Sequence, residues 1–191
     1  MAETEEAVRR FLDGEEEAFT LIVKRWERKV YNLAWRMLGN REDAQDVVQE
    51  TFLSVFKSAG SLRDPGSFST WLYRIALNHC RARRRKRAAG QFSNASTSEP
   101  IADEELYPSA VSSNLQSRNA VEALDIIRKA LSGVSEDHRT AIVLKEYLGL
   151  SLEELASVMD CPLSTAKSRL YHGLRGVQRN LKRMGVKVSE S

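Results

Sequence analysis

Leu150–Arg175 reads LSLEELASVMDCPLSTAKSRLYHGLR, and its punctuation decides the fold. Ser151 and Glu154 have capping-box spacing, in which a hydroxyl and a carboxylate each take an orphan backbone N–H at a helix start. A short helix follows, with Leu155, Ala156 and Met159 inward. Asp160-Cys161-Pro162 breaks it, because proline brings no N–H to the ladder and restricts the residue before it. Ser164 can cap a longer helix whose Ala166, Leu170, Leu174, Val177 and Leu181 recur at steps of three and four and face the core. Two helices across a brief turn have helix-turn-helix spacing, in which the first braces the second and the N-terminal half of the second enters the major groove of DNA.

With that apolar stripe turned inward, the outer side carries Thr165, Lys167, Ser168, Tyr171, His172 and Arg175. Such groups bond base edges or phosphates, and a tyrosine ring packs on thymine methyls. From Cys161 to Ser189 there are seven Lys/Arg and no acid, which suits phosphate. The plainer reading is an αα-hairpin with a solvated charged face.

The same rules extend upstream. Val121, Leu124, Ile127 and Leu131 form a stripe that Gly133 stops, and Ser135 can cap a helix through Leu148, with Gly149 as its stop. Residues 88–117 hold Ser, Asn, Ala, Glu, Pro100 and Pro108 with little periodicity; a stretch of this length is a linker between domains. Before it, Val8, Phe11 and Leu12 begin a short amphipathic segment, and Asp13 and Glu16 have capping-box spacing. Phe19, Ile22, Val23, Trp26, Val30, Leu33, Ala34 and Met37 then trace a helix that Gly39 ends, and Asn40 can cap the next. That next helix turns Ala44, Val47, Val48, Phe52, Val55 and Phe56 to one face. Residues 60–66 are a loop by their turn residues, and a further helix runs from about Phe68 to Arg87 with Phe68, Trp71, Leu72, Ile75 and Ala76 inward.

The net charge is only +3, but it is unevenly placed. Residues 81–89 carry six basic groups and no acid, and residues 90–117 carry four acids and no base. Basic blocks of this kind are the footprint of phosphate binding. Cys80 and Cys161 are isolated, as in a reduced cytosolic protein. The N-terminus is acidic, and no apolar run reaches membrane-spanning length, so a cytoplasmic protein without membrane insertion is expected.

Two further constellations carry chemistry. On the Phe68–Arg87 helix, Thr70, Arg74, Asn78, Arg81 and Arg85 recur on the polar side, with Trp71 and Tyr73 on the same segment. Basic groups interleaved with aromatics suit single-stranded DNA, although most of the Trp71 ring reads as core and Arg81–Arg87 could be a solvated run. Asp43, Asp46, Gln49 and Glu50 lie just off the apolar face of the preceding helix. Those carboxylates could be a solvated face, a metal site or a dock for a basic partner; with no nearby His and no calcium-loop pattern, metal is the weakest of the three. His79, His138 and His172 stand apart from any nucleophile grouping, and no phosphate-cradling glycine loop appears, so no enzyme and no cofactor is expected.

At this point the sequence resembles the extracytoplasmic-function (ECF) group of bacterial RNA polymerase sigma factors, of the sigma-70 family. The matching stretches are Asp43–Phe52 (DAQDVVQETF), Phe68–Asn78 (FSTWLYRIALN) and Leu148–Leu170 (LGLSLEELASVMDCPLSTAKSRL), with Asp13–Phe19 (DGEEEAF) in support. The resemblance implies a fold of two small all-α domains: residues 1–89 as sigma region 2, 90–117 as linker, and 118–191 as a region 4 helix-turn-helix. It implies that Asp43, Asp46, Gln49 and Glu50 dock on the clamp helices of the largest subunit of core polymerase, while the flap of the second largest subunit is a further contact. Leu62, Arg63, Trp71, Arg74, Asn78, Arg81, Arg84 and Arg85 would serve the −10 element, with the residue 60–67 loop and Asn78 capturing a flipped base. Ser164, Thr165, Lys167, Ser168, Arg169, Tyr171, His172 and Arg175 would serve the −35 element. His172 stands where relatives often carry Arg. The acidic linker would thread polymerase near the RNA path. No extra C-terminal domain follows, so control by a separate anti-sigma factor is expected.

Two other readings compete with promoter recognition. A stand-alone helix-turn-helix regulator would bind a palindromic duplex without polymerase. A protein-interaction decoy would have no use for the DNA-facing residues.

Overall fold

The computed structural model describes residues 2–90 and 126–186. Most of the expected linker, and Val121 and Leu124, lie outside them. The chain divides into two compact units, and every regular element among the described residues is helical.

The N-terminal unit holds α1 (Ala2–Leu12), α2 (Glu16–Leu38), α3 (Arg41–Ser58) and α4 (Phe68–Ala88). Gly39 ends α2 at φ +69, a left-handed conformation that suits glycine, and its N–H reaches the Trp35 carbonyl at 2.7 Å. Asn40 then caps α3, its side-chain oxygen accepting from the Asp43 N–H at 2.8 Å. The expected Asp13–Glu16 capping box does not form. Gly14 takes φ +97, and α2 opens after Glu15 without a side-chain cap. Arg10 instead meets Glu15 at 2.7 Å across the turn.

The core is the meeting of three apolar faces. Ile22, Val30, Leu33 and Met37 of α2, Ala44, Val47 and Val55 of α3, and Phe68, Leu72, Ala76 and Leu77 of α4 are all buried. Each large aliphatic side chain contributes about 1.5–3 kcal/mol by leaving water. Trp26 locks α2 to α4, its ring edge-on to Phe68 at 5.7 Å and to Tyr73 at 5.8 Å. Two positions depart from expectation. Tyr73 is buried, so it belongs to the core and not to a nucleic-acid face. Phe56 is 47% exposed. Neighbours on a helix point about 100° apart, and Val55 holds the inward place. Phe56 rests beside Phe11 and Phe19, at ring distances of 5.8 and 5.2 Å.

The C-terminal unit holds α5 (126–132), α6 (Glu136–Ile142, prolonged by the wider turns of Val143–Tyr147), α7 (Leu152–Met159) and α8 (Leu163–Arg183). Ser135 caps α6, accepting from the His138 N–H at 3.5 Å, and Gly149 turns the chain out at φ +70. The Ser151–Glu154 box forms in both directions: the Glu154 carboxylate accepts from the Ser151 N–H at 2.7 Å, and the Ser151 hydroxyl from the Glu154 N–H at 3.1 Å. Ser151→Ala is expected to cost about 1 kcal/mol, read as a lower thermal midpoint by circular dichroism, while Ser151→Asp keeps the cap and the midpoint.

The last helix differs from its sequence reading twice. It opens at Leu163 with Pro162 in the cap position, so Ser164 caps nothing. The Pro162 carbonyl takes the Ala166 N–H at 3.0 Å and starts the ladder. The inward positions are Ala166, Gly173 and Gly176, while Leu174 is 41% exposed. The glycines explain the shift. A Cβ at Gly173 would stand 3.0 Å from the His138 carbonyl oxygen, and one at Gly176 would stand 2.8 Å from Val134 Cγ1. The helix therefore approaches α6 and the turn before it more closely than leucine would allow. In α5, Ala130 is buried and Ile127 largely exposed, again the reverse of the simple stripe.

Candidate nucleic-acid interface

The first half of α8 offers a polar face. Ser164, Lys167, Ser168, Tyr171, His172 and Arg175 are exposed, and Thr165 is half-buried. Tyr171 stands out by 59% exposure, and the Arg175 guanidinium lies 5.6 Å from its ring centre. A cation over an aromatic face holds both side chains to fewer orientations. Arg169 has a different position. It pairs with Asp137 of α6 at 2.7 Å, so it braces the helix-turn-helix from the side. The turn before α8 is tight enough to hold Asp160 at φ +52, a region that non-glycine residues other than Asn and Asp rarely visit.

In the N-terminal unit, Arg74, Asn78, Arg81 and Arg85 recur at steps of three and four along α4. Arg74, Asn78 and Arg85 are exposed; Arg81 and Arg84 are half-buried. Trp71 is half-buried beside Phe68, at 6.1 Å between rings. The 60–67 loop is built of two short 3-10 turns, Ala59–Ser61 and Pro65–Ser67, with Leu62 half-buried and Arg63 exposed between them. Asp64 organises it. Its carboxylate accepts from the Ser67 hydroxyl at 2.7 Å and the Gly66 N–H at 3.0 Å. The Ser67 bond first, and then the Gly66 N–H, hold this carboxyl below its ordinary range, so it is ionised throughout the neutral region.

The acidic face of α3 is built against α4. Arg83, only 8% exposed, sits among three carboxylates. It pairs with Asp43 at 3.0 Å, with Asp46 at close range, and with Glu50 at 4.0 Å. Arg87 reaches Asp43 at 3.1 Å. His79 lies 3.2 Å from Glu50 and 2.9 Å from the Ser54 hydroxyl. Asp43 is thus mostly enclosed, whereas Asp46 and Glu50 keep about half of their surface in water and Gln49 is exposed. The basic run 81–87 therefore has two faces, one outward and one that neutralises the neighbouring helix. Sequence reasoning missed Arg83, Arg87 and His79. The signal was present: they recur every four residues on α4, matching Asp43, Asp46 and Glu50 at steps of three and four on α3.

A helix-turn-helix unit, joined to a helical unit with a basic outer face, defines a two-part DNA-binding protein of transcription. Comparison with known proteins makes the assignment specific. Residues 22–90 match the family described as Sigma-70 region 2, and residues 124–175 match Sigma-70, region 4. The chain is 32% identical to the RNA polymerase sigma-H factor of Pseudomonas aeruginosa over 93% of each chain. It is 33% identical to the ECF RNA polymerase sigma factor SigW of Bacillus subtilis, over 88% of this chain and 91% of that one. Among solved structures, it resembles CnrH in complex with the cytosolic domain of CnrY in fold, with a TM-score of 0.69 and 22% identity over 95% of this chain and 98% of that one. It also resembles the sigma factor RpoE in complex with the anti-sigma factor NepR from Bartonella quintana, with a TM-score of 0.67 and 26% identity over 86% and 96% of the two chains.

The chain belongs to the ECF group of the sigma-70 family of RNA polymerase sigma factors. It is a non-catalytic subunit that initiates transcription at promoters. Proteins of this family bind core RNA polymerase and DNA. That membership displaces the stand-alone regulator and the decoy. Among the described residues, no helix is long and apolar enough to cross a membrane.

Proposed function

We propose that residues 1–89 dock on core polymerase and capture the −10 element, that residues 118–191 read the −35 element, and that 90–117 links the two in the cytoplasm. The observation that carries this division is the exposure of two separate DNA-suited faces, one in each unit. Lys167, Ser168 and Tyr171 on α8 supply hydrogen bonds and an apolar ring edge to the major groove. Ser164, Thr165, His172 and Arg175 extend that face, and Arg169 steadies it through Asp137. On α4, Arg74, Asn78, Arg81, Arg84 and Arg85 would track the separated strand, while Trp71, Leu62 and Arg63 would contact an unstacked base. Flipping a base costs a few kcal/mol, which pocket contacts and stacking offset without any catalysis.

Asp46, Gln49 and Glu50 form the accessible part of the dock for the basic clamp helices of the largest subunit, with Asp43 beneath them. The flap of the second largest subunit is the further polymerase contact. An anti-sigma factor is the expected regulator, as solved relatives in complex with such proteins suggest.

Run-off transcription with purified core polymerase over a genomic template library tests the whole reading; absence of any promoter-dependent initiation would sink it. The dock has its own test. The pair Asp46→Asn and Glu50→Gln is expected to weaken core polymerase binding by about tenfold or more, since truncated charge contacts at interfaces cost 2–5 kcal/mol. Binding of a −35 duplex should not change. Unaltered polymerase affinity in that variant would remove the dock from α3.

A further inference from the structure

The second half of α8 borders a groove that shares only His172 and Arg175 with the proposed −35 face and extends past it along Arg179 and Arg183. It runs along the C-terminal unit with a volume of about 560 Å³, between α8 on one side and the turn into α6 on the other. Arg175, Arg179 and Arg183 line the α8 wall, with His172 beside them, and Ser135 and His138 line the opposite wall. Residues four apart on a helix lie on one side, about 6 Å apart along the axis, so the three guanidinium groups make a row. All three are exposed, and none forms an ion pair within the described residues. No carboxylate lines either wall. Gly173 and Gly176 bring α8 down onto His138 and Val134, which sets the arginine row beside the turn.

A linear row of cations in an open groove fits a linear polyanion better than a compact one. Two kinds are available, nucleic acid and an acidic peptide. Two observations separate them. Single strands are held by cations together with aromatic platforms, and the groove is lined by no Phe, Tyr or Trp. Duplex DNA is also poorly placed. A recognition helix meets base edges with its N-terminal residues in a groove about 12 Å wide, and Arg179 and Arg183 lie roughly 18 and 24 Å along the axis beyond Lys167 at 1.5 Å per residue. By contrast, alternate residues of an extended peptide are spaced about 6.6–6.8 Å apart, close to the arginine repeat. We infer that this groove binds an extended acidic segment of a protein partner, with carboxylates on alternate residues facing Arg175, Arg179 and Arg183. The inference goes beyond the promoter reading, because Arg179 and Arg183 lie outside the proposed −35 face, which can stand without them and with which the groove shares Arg175.

The test uses the full chain and a fluorescein-labelled peptide of alternating Glu and Ala, followed by anisotropy at low salt, beside a labelled −35 promoter duplex. The wild-type chain should bind the peptide, and added salt should weaken that binding. Arg179→Glu with Arg183→Glu should lower peptide affinity by about tenfold or more, as like charges now face each other. Duplex affinity should stay within about twofold, since surface sites away from the read bases act independently. Arg179→Gln with Arg183→Gln should fall between, and matching circular dichroism melts establish that the variants fold. A wild-type chain that ignores the peptide, or variants that bind it equally, would overturn the inference. A parallel loss of duplex affinity would assign the row to DNA phosphates and overturn it as well. Failure of the −35 reading would show instead as a duplex unaffected by Lys167→Ala and Tyr171→Ala.

Discussion

Arg83→Ala is expected to destabilise the N-terminal unit by about 3 kcal/mol, the low end of what breaking a buried ion pair costs. The reason is what it leaves behind. Arg83 is nearly enclosed, and Asp43, its partner at 3.0 Å, is only 16% exposed. Without the guanidinium, Asp43 becomes a poorly hydrated carboxylate that keeps Arg87 beside it. The figure sits at the low end because Asp46 and Glu50, 53% and 43% exposed, can take up water. For a unit of this size the melting midpoint should fall by roughly 12–24 °C. Arg85→Ala, on the exposed side of the same basic run, should change stability by no more than about 0.5 kcal/mol. Arg83→Lys should not restore the parent midpoint, because an ammonium is a point charge and lacks the planar fork that reaches several carboxylates. The double change Arg83→Met and Asp43→Leu should recover most of the loss, since apolar replacement of a buried pair is often neutral. Equal midpoints for Arg83→Ala and Arg85→Ala would show that the ion-pair cluster holds nothing together.

This cluster also bears on the proposed docking and strand-capture faces. The carboxylates proposed to meet polymerase are held in place by the same helix that carries Asn78 and Arg85. His79, next to Asn78 in sequence, touches Glu50. The proposed dock and the proposed strand-capture face are thus two sides of one α3–α4 pair, and a change in Arg83 should reach both. Such a variant should lose polymerase affinity at temperatures where circular dichroism already reports partial melting, and −35 duplex binding by the other unit should persist there.

How much of this was legible beforehand depended on the physics at each position. Gly39, Asn40, Ser135, Ser151 and Glu154 act through backbone groups a few residues away, so spacing alone located the helix ends they set. The long apolar periodicities of α2 and α4 placed the core for the same reason. What spacing could not decide was which of two adjacent candidates turns inward. Tyr73 rather than Trp71 fills the space beside Trp26, and Val55 rather than Phe56 faces the core, because the neighbouring helix and not the local pattern sets the space available. The basic run 81–87 looked uniform because charge counting is blind to direction. Only the partner helix separates Arg83 from Arg85. The polar residues Ser164, Lys167, Ser168, Tyr171, His172 and Arg175 of α8 are exposed, as their spacing implied, yet Arg169 pairs with Asp137, a contact between helices about thirty residues apart in sequence that no local rule supplies.

The same limitation hid the glycines, and they carry the second large expectation. A glycine inside a helix costs about 1 kcal/mol relative to alanine, so Gly173 and Gly176, both in the middle of α8, need a compensating contact. Gly173 has one that cannot yield. Its absent Cβ would lie 3.0 Å from a backbone oxygen, that of His138, and 3.1 Å from the His138 Cβ. Alanine there should gain helix propensity and lose about as much to crowding. Valine adds two branched methyls toward the α6 backbone and should cost about 3 kcal/mol, the upper end for overpacking. Because α6 braces α8, the helix proposed to read the −35 element, Gly173→Val should also abolish −35 duplex binding while leaving the N-terminal unit's melt intact. Gly176 has a different obstacle, a side chain, with Val134 Cγ1 at 2.8 Å. Gly176→Ala should therefore weaken the unit by about 1–2 kcal/mol, and Val134→Ala should rescue it by opening the space. No removal at Val134 should rescue Gly173→Val, since its clash is with backbone. Urea unfolding followed by circular dichroism, with duplex anisotropy on the same samples, separates the cases. A Gly173→Val chain that keeps both its stability and its duplex affinity would mean that α8 does not lie against the His138 carbonyl at all.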